Sequence, residues 1–289
     1  MENKKIAVVG AGLMGSGIAQ ACAQAGFEVV NIDTFESAIE KAKANIENLF
    51  AKKVAKGSMT EEKKTGILSR LTYSGSFEDV KGAAIVIEAV PEKIEIKKDT
   101  FKKIDEIADP ETLIVSNTSG LSISEIASVT NRPDKVMGVH FFYPAPVMKL
   151  VELVRGLVTS DETYAVVKDF AAAIGKTTVD APEYPGFMVN RILVPMQNEA
   201  AFMVMEGSKP EDVDNAMKLG CNHPMGPIEL TDFVGIDTML ATMTGLYNGF
   251  HDSKYRPCPL LETMVKAGHL GRKTGQGFYK YDEKGNKIS

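Results

Sequence analysis

One histidine and one glutamate near the middle of the chain have the spacing of an acid–base pair. His140 and Glu152 lie in two apolar segments, 136–142 and 147–153, which the sequence Tyr-Pro-Ala-Pro separates. Proline fixes φ and lacks an amide donor, so these prolines predict a break between two strands. If the strands fold back antiparallel about Pro146, each residue is six positions from the centre, and the two side chains face each other about 5 Å apart. A carboxylate that orients an imidazole favours general acid–base catalysis, and the alternative is a partly buried histidine beside a solvated glutamate.

A glycine-rich segment near the N-terminus has the spacing of a dinucleotide site. Its sequence, Gly-Ala-Gly-Leu-Met-Gly, follows an apolar strand at Lys5–Val9 and opens an alanine-rich helix. In this context Gly10 allows a tight turn, Gly12 lets the backbone approach a pyrophosphate, and Gly15 lets the helix pack on the strand. The helix N-terminus then supplies amides to the phosphates. The residues expected next to the cofactor are Gly10, Gly12, Leu13, Met14 and Gly15.

The end of the next strand predicts which dinucleotide binds. Asp33 follows Gly15 by 18 residues, and no arginine stands at positions 34–37. A carboxylate here accepts hydrogen bonds from the adenosine ribose and repels a 2′-phosphate, so we expect NAD rather than NADP. The alternative for the whole motif is a plain turn between a strand and a helix.

Apolar strands and helices alternate through the first part of the chain. This pattern predicts an α/β fold with a Rossmann-type, doubly wound sheet, mostly parallel, which carries the antiparallel hairpin at its end. In such sheets ligands lie past the carboxyl ends of the strands, where polar residues also serve as helix caps. Both interpretations remain open for Asn117 and Ser119. The polar residues in such positions are Glu92, Lys97, Asn117 and Ser119.

The proline-rich segment 182–186 predicts a domain boundary. We expect an NAD-binding domain at 1–184 and an all-α domain, for substrate binding and dimerisation, at 185–289. The first helix of the second domain, predicted over Phe187–Glu206, is apolar over a wide face and contains Pro195, which predicts a kink. A domain of about 100 residues cannot cover so wide an apolar face alone, which favours a homodimer.

Two basic segments have two possible roles each. Lys52, Lys53 and Lys56 end a helix predicted over Ala38–Lys56, where cations interact favourably with the helix dipole or could bind an anionic substrate. The sequence by itself favours the interaction with the helix dipole over the binding of an anionic substrate. The basic, glycine-rich segment Gly271–Tyr279 could cover a phosphate or form a surface turn.

Composition narrows the class of protein. The chain has 289 residues, of which 44% are hydrophobic and 25% charged, and its net charge is −5 without a basic block. This balance is typical of globular proteins and argues against a nucleic-acid partner. The three cysteines lack the spacing of metal ligands, so no metal site is expected. No signal peptide and no apolar run of about 18 residues occurs, so we expect a cytoplasmic protein without membrane segments.

Over essentially its whole length the chain resembles the L-3-hydroxyacyl-CoA dehydrogenases, most closely their short bacterial 3-hydroxybutyryl-CoA members. The segments that carry the resemblance are Val9–Ala19, Ser116–Ser119, His140–Phe142, Pro144–Glu152, Pro185–Arg191, Ala216–Gly220, His223–Pro227 and Gly271–Tyr279. The resemblance implies a reversible, NAD-linked oxidation of a short 3-hydroxyacyl-CoA to a 3-ketoacyl-CoA.

The resemblance also implies roles for single residues. His140 is then the acid and base, and Glu152 is the partner that orients its ring and favours its charged form. Lys56 then contacts the CoA phosphates, which reverses the interpretation of this lysine as a partner of the helix dipole. The implied substrate contacts are Ser119, Asn190, Lys53 and Lys56. The implied cofactor contacts outside the glycine-rich segment are Asp33, Glu92, Lys97, Asn117, Ser119 and Lys273.

The chain departs from the family pattern at two positions. Tyr143 stands where the family usually has asparagine, and Gly120 where it usually has serine. The first departure puts one polar contact near the cofactor in doubt. One alternative function is an NAD-dependent dehydrogenase of a free 3-hydroxy acid or sugar acid. Another is a structural or NADH-sensing protein without turnover. The residues that argue against it by being intact are His140, Glu152, Ser119 and Asn190.

Overall fold

The chain folds into two units in a computed structural model that describes residues 4–288. The first unit ends at Glu183 and the second begins at Tyr184, one residue before the boundary expected from the sequence. Strands dominate the centre of the first unit, and helices build the second. None of the helices within residues 4–288 is both long enough and apolar enough to cross a membrane.

The first unit is built on an eight-stranded sheet with the order β3-β2-β1-β4-β5-β6-β7-β8. The strands are β1 Lys5–Val9, β2 Glu28–Ile32, β3 Leu71–Ser74, β4 Ala83–Glu88, β5 Leu113–Ser116, β6 Val136–Phe141, β7 Leu150–Arg155 and β8 Thr177–Ala181. Successive residues of β1, β5 and β6 are buried, so both faces of these strands are covered. All neighbours pair in parallel except β6 and β7, which confirms the predicted, mostly parallel sheet with one antiparallel hairpin, and β8 lies outside this hairpin at the edge.

Among the residues that the structure describes, six α-helices accompany this sheet and five form the second unit. Those of the first unit are α1 Leu13–Gln24, α2 Glu36–Ala55, α3 Glu61–Leu68, α4 Ile94–Ile107, α5 Ile123–Ala127 and α6 Asp161–Ala173. Those of the second are α7 Val189–Met205, α8 Pro210–Cys221, α9 Pro227–Val234, α10 Ile236–Phe250 and α11 Pro259–Lys266. Local signals explain their starts: Ser160 caps α6 by accepting from the amide of Thr163, and proline stands at the first turn of α8, α9 and α11.

The hairpin differs from its prediction in the second strand. β7 begins at Leu150 rather than Val147, because the amides of Val147 and Met148 both donate to the carbonyl of Pro144 in a tight turn. The register of the two strands nevertheless pairs His140 with Glu152, which confirms the pairing expected from their equal distance to the prolines.

A buried carboxylate explains the glycine-rich segment near the C-terminus. Asp232 is fully buried and accepts hydrogen bonds from the amides of Phe278 and Tyr279 at 3.0 and 2.9 Å. A Cβ added at Gly271 would lie 2.3 Å from the Asp232 carbonyl oxygen, and one at Gly277 would lie 2.1 Å from its Oδ1. Burial raises the pKa of Asp232 above the usual range. These glycines are therefore required by packing around a carboxylate, whether or not a phosphate binds nearby.

Removal of this carboxylate should destabilise the second unit. Asp232→Ala leaves the Phe278 and Tyr279 amides without their acceptor, so we expect the free energy of unfolding to fall by about 3 kcal/mol. Urea denaturation followed by circular dichroism measures the change. Asp237→Ala is the matched control, since it removes only an exposed ion pair with Lys273, which contributes little. Equal losses in the two variants would contradict the structural role of Asp232.

Candidate active site

A cleft of about 730 Å³ opens in the first unit, past the carboxyl ends of β1, β2, β4 and β5. The sheet order reverses between β1 and β4, which is where doubly wound sheets bind their ligands. The lining residues that the sequence singled out are Gly10, Gly12, Leu13, Met14, Asp33, Glu92, Asn117 and Ser119. The structure thus brings together most of the residues expected to contact a cofactor.

The three glycines of the N-terminal motif meet different surroundings. A Cβ at Gly10 would lie 2.5 Å from the Ala89 carbonyl oxygen, and one at Gly15 only 1.9 Å from the Gly10 carbonyl oxygen. Gly10 also has a φ of +108°, a conformation that favours glycine. A Cβ at Gly12, in contrast, would meet no atom within 4 Å among residues 4–288. Gly12 is thus dispensable for packing but leaves the backbone open to a ligand, which fits a pyrophosphate.

Asp33 is fixed at the rim of this cleft by two backbone amides. Its Oδ2 accepts from Ala11 at 2.7 Å and its Oδ1 accepts from Phe35 at 3.0 Å. A carboxylate oxygen has room for a second hydrogen bond, so Asp33 can hold the glycine-rich loop and still accept from ribose hydroxyls. The residues present therefore fit NAD.

Asn31 is a residue of this region that sequence reasoning missed. Its fully buried side chain donates to the carbonyls of Val8 and Gly10 at 3.0 and 2.9 Å, and so ties β2 to the glycine-rich loop. Its Oδ1 has no partner among the described residues. The available signal was an amide inside an otherwise apolar strand, because buried amides must find acceptors.

A buried ionic network lies beneath the cleft at the ends of β4 and β5. Lys97 is 1% exposed and its Nζ lies 2.7 Å from Oε1 of the fully buried Glu88 and 3.2 Å from Oε2 of Glu92. Glu92 in turn accepts from the amide of Ser119 at 2.7 Å. The sequence indicated Glu92, Lys97 and Ser119, but not Glu88. Lys97 thus supports the loops that border the cleft.

Asn117 joins the cleft to the hairpin. Its Oδ1 accepts from the amide of Phe141, one residue past His140, at 2.9 Å. The side chain therefore bridges the end of β5 and the end of β6 while it lines the cleft. The sequence left open whether Asn117 is a structural residue or a site residue, and its contact with Phe141 is structural. The contact uses only Oδ1, so the side-chain nitrogen of Asn117 remains compatible with a cofactor contact.

His140 and Glu152 form a buried pair in the centre of the hairpin. The Nδ1 atom of His140 lies 2.7 Å from Oε2 of Glu152, and the two side chains are 7% and 0% exposed. The ring of Phe142 packs at 4.5 Å from the imidazole. Because an ionised Glu152 is only an acceptor, the contact favours the tautomer of the neutral imidazole that carries its proton on Nδ1.

The remaining predicted site residues lie elsewhere. Lys53 and Lys56 stand at the C-terminal end of α2, with Lys56 exposed and the Lys53 ammonium 5.9 Å from the Phe50 ring centre. Asn190 and Lys273 belong to the second unit, where Lys273 pairs with Asp237. Within the described residues no group of histidine, cysteine or acidic side chains has the arrangement of a metal site.

Comparison with known proteins identifies two consecutive domains. Residues 5–184 match the NAD-binding domain of 3-hydroxyacyl-CoA dehydrogenase, and residues 186–281 match its C-terminal domain. The probable 3-hydroxybutyryl-CoA dehydrogenase of Bacillus subtilis is 51% identical over 285 residues, which cover 98% of this chain and 99% of that protein. The mitochondrial hydroxyacyl-coenzyme A dehydrogenase of Homo sapiens is 42% identical over 287 residues, which cover 96% and 91% of the two chains.

A solved structure gives the same result. The crystal structure of (S)-3-hydroxybutyryl-CoA dehydrogenase from Ralstonia eutropha is 48% identical, covers 98% of this chain and 100% of its own, and superposes with a TM-score of 0.93. The matches span both units, and they agree with the resemblance noted in the motifs. The chain therefore belongs to the 3-hydroxyacyl-CoA dehydrogenase family.

Proposed function

We propose that this protein catalyses the reversible, NAD-dependent oxidation of short-chain (S)-3-hydroxyacyl-CoA to 3-ketoacyl-CoA, with 3-hydroxybutyryl-CoA and acetoacetyl-CoA as the reacting pair. The observation that carries the proposal is the buried His140–Glu152 pair, 2.7 Å apart, on a strand that Asn117 links to the dinucleotide cleft. The names of the relatives support the same substrate class. A dehydrogenase of free 3-hydroxy acids would share the pair but not the need for a CoA site.

The chemistry of the residues follows from this geometry. NAD, when bound, supplies the acceptor for the hydride that leaves C3 of the substrate. His140 removes the proton of the 3-hydroxyl group through Nε2, and in the reverse direction returns it to the ketone oxygen. Glu152 holds the Nδ1 proton, keeps the ring in one orientation and stabilises the imidazolium that forms. Burial of the pair strengthens this electrostatic stabilisation, since water does not screen it.

The other predicted residues complete the proposed site. Ser119 and Asn190 would donate to the substrate oxygens, and Lys53 and Lys56 would bind the phosphates of CoA as flexible cations. We also propose that the chain acts as a cytoplasmic homodimer. Support for the homodimer comes from α7, where Ile192 is 75% exposed and further apolar side chains lie at the surface. The proposed cofactor contacts are Gly10, Gly12, Leu13, Met14, Gly15, Asp33, Glu92, Lys97, Asn117, Ser119 and Lys273.

Loss of the imidazole tests the catalytic role. His140→Ala should lower kcat for acetoacetyl-CoA reduction at least about 100-fold, because no other group is proposed to transfer the proton. The rate is read from the disappearance of NADH, and the Kd for NADH should stay within about twofold of wild type. His251→Ala, at an exposed histidine of the second unit, should leave kcat unchanged. A His140→Ala enzyme near the wild-type rate would refute the mechanism.

Charge reversal at the end of α2 tests the CoA thioester as substrate. Lys56→Glu should raise the KM for acetoacetyl-CoA at least about tenfold with kcat little changed, since it replaces an attraction for phosphate by a repulsion. Lys41→Glu, at another exposed position of the same helix, controls for the general change in charge. Equal KM values for all three proteins would favour a free 3-hydroxy acid as the substrate.

A further inference from the structure

The buried lysine beneath the cleft has three protein acceptors around its ammonium group. The Nζ atom of Lys97 has three acceptors around it: Glu88 Oε1 at 2.7 Å, the Val90 carbonyl at 3.3 Å and Glu92 Oε2 at 3.2 Å. An ammonium group has three N–H donors and no acceptor. The three acceptors therefore suit a charged lysine.

The buried carboxylate of this network is surrounded by donors. Oε1 of Glu88 also accepts from the amide of Val90 at 2.7 Å, and Oε2 accepts from the Ser116 hydroxyl at 2.6 Å. The Ser116 oxygen itself accepts from the amide of Thr118 at 3.2 Å, so its only hydrogen is directed at Glu88. The groups around Glu88 are therefore arranged as donors to a carboxylate, which accepts at both oxygens.

The second carboxylate has the same pattern. Oε1 of Glu92 accepts from the amide of Ser119 at 2.7 Å and from the Thr118 hydroxyl at 2.6 Å. The Thr118 oxygen accepts from the amide of Leu121 at 2.9 Å, which again leaves its hydrogen for the carboxylate. Two carboxylates and one ammonium give the Glu88–Lys97–Glu92 triad a net charge of −1 (−1 −1 +1). Water screens Glu88 and Lys97 poorly because both are buried, whereas Glu92 is half-exposed at the cleft.

The triad lies at one particular end of the cleft. Asp33, past β2, marks the adenosine end, so the nicotinamide end lies across the switch point, past β4 and β5. Glu92 lines the cleft at that end. The nicotinamide ring carries a positive charge in NAD+ and none in NADH. A fixed negative charge beside it lowers the free energy of the oxidised form and leaves the reduced ring almost unaffected.

We infer that the Glu88–Lys97–Glu92 triad sets the selectivity of this protein between NAD+ and NADH, with the buried Glu88 as a specificity-determining residue that does not touch the cofactor. The inference rests on the proposed function, because it assumes that the cleft binds NAD. The triad then has two roles. Its hydrogen bonds hold the loop at Ser119, and its net charge selects the redox state of the cofactor.

Neutralising the buried carboxylate tests this selectivity. Glu88→Gln brings the net charge of the triad to zero and should weaken NAD+ binding about five- to thirty-fold, because it removes one negative charge from the surroundings of the positive ring. The Kd for NADH should change by no more than about twofold. Calorimetric titration measures NAD+ binding and NADH fluorescence measures the other constant, both on the full chain.

Two further variants separate charge from structure. Ser116→Ala removes a hydrogen bond to Glu88 without changing the charge, and should leave the ratio of the two Kd values unchanged. The double variant Glu88→Gln/Lys97→Met restores a net charge of −1, now from Glu92 alone, and should return the ratio to within about threefold of wild type. If Glu88→Gln does not fold, Glu92→Gln gives the same zero charge at a half-exposed position and should shift the ratio in the same direction.

Several results would overturn the inference. Equal weakening of NAD+ and NADH by Glu88→Gln, or a Ser116→Ala variant with the same shifted ratio, would mean that the triad is purely structural. If neither Glu88→Gln nor Glu92→Gln shifts the ratio of the Kd values for NAD+ and NADH, the triad is likewise purely structural. These outcomes differ from failure of the proposed function, in which the wild-type chain would bind neither form of NAD or would not reduce acetoacetyl-CoA.

Discussion

A carboxylate that is fully buried, as Glu152 is, needs a donor to replace its lost hydration, and the Nδ1 atom of His140 meets that need at 2.7 Å. Side chains alternate along a strand, so a shift of one residue between β6 and β7 would separate the two groups. The turn that sets the register is held from outside the hairpin, because Lys176 donates to the carbonyls of Ala145 and Met148 at 2.5 and 2.8 Å. The hairpin is thus a fixed support for the buried His140–Glu152 pair.

The dinucleotide cleft is bordered by polar side chains that hold backbone groups in place. Asn31 fixes the carbonyl of Gly10, and Glu92 fixes the amide of Ser119. Asn117 then connects this framework to the strand of His140 through the amide of Phe141. The substrate oxygens and the cofactor would therefore meet groups whose positions are already determined, and such preorganisation lowers the cost of reaching the transition state.

Local signals in the sequence predicted a large part of this architecture. The strand, the glycine motif and the acid at Asp33 gave the dinucleotide fold, and equal spacing about the prolines gave the pairing of His140 with Glu152. The start of β7 could not be predicted, because it depends on a turn in which one carbonyl accepts two amides. Glu88 was missed for a different reason: its hydroxyl donor, Ser116, is 28 residues away on a neighbouring strand, and no local pattern indicates such a partner.

We propose that Glu152 acts on the reaction only through His140, and a double-mutant cycle measures this coupling. The kcat for acetoacetyl-CoA reduction is measured for Glu152→Gln, His140→Ala and the double variant, with folding checked by circular dichroism. We expect Glu152→Gln to lower kcat about 10- to 100-fold and the double variant to be no slower than His140→Ala, because residues that act as a unit are not additive. Two effects that multiply in the double variant would contradict the account.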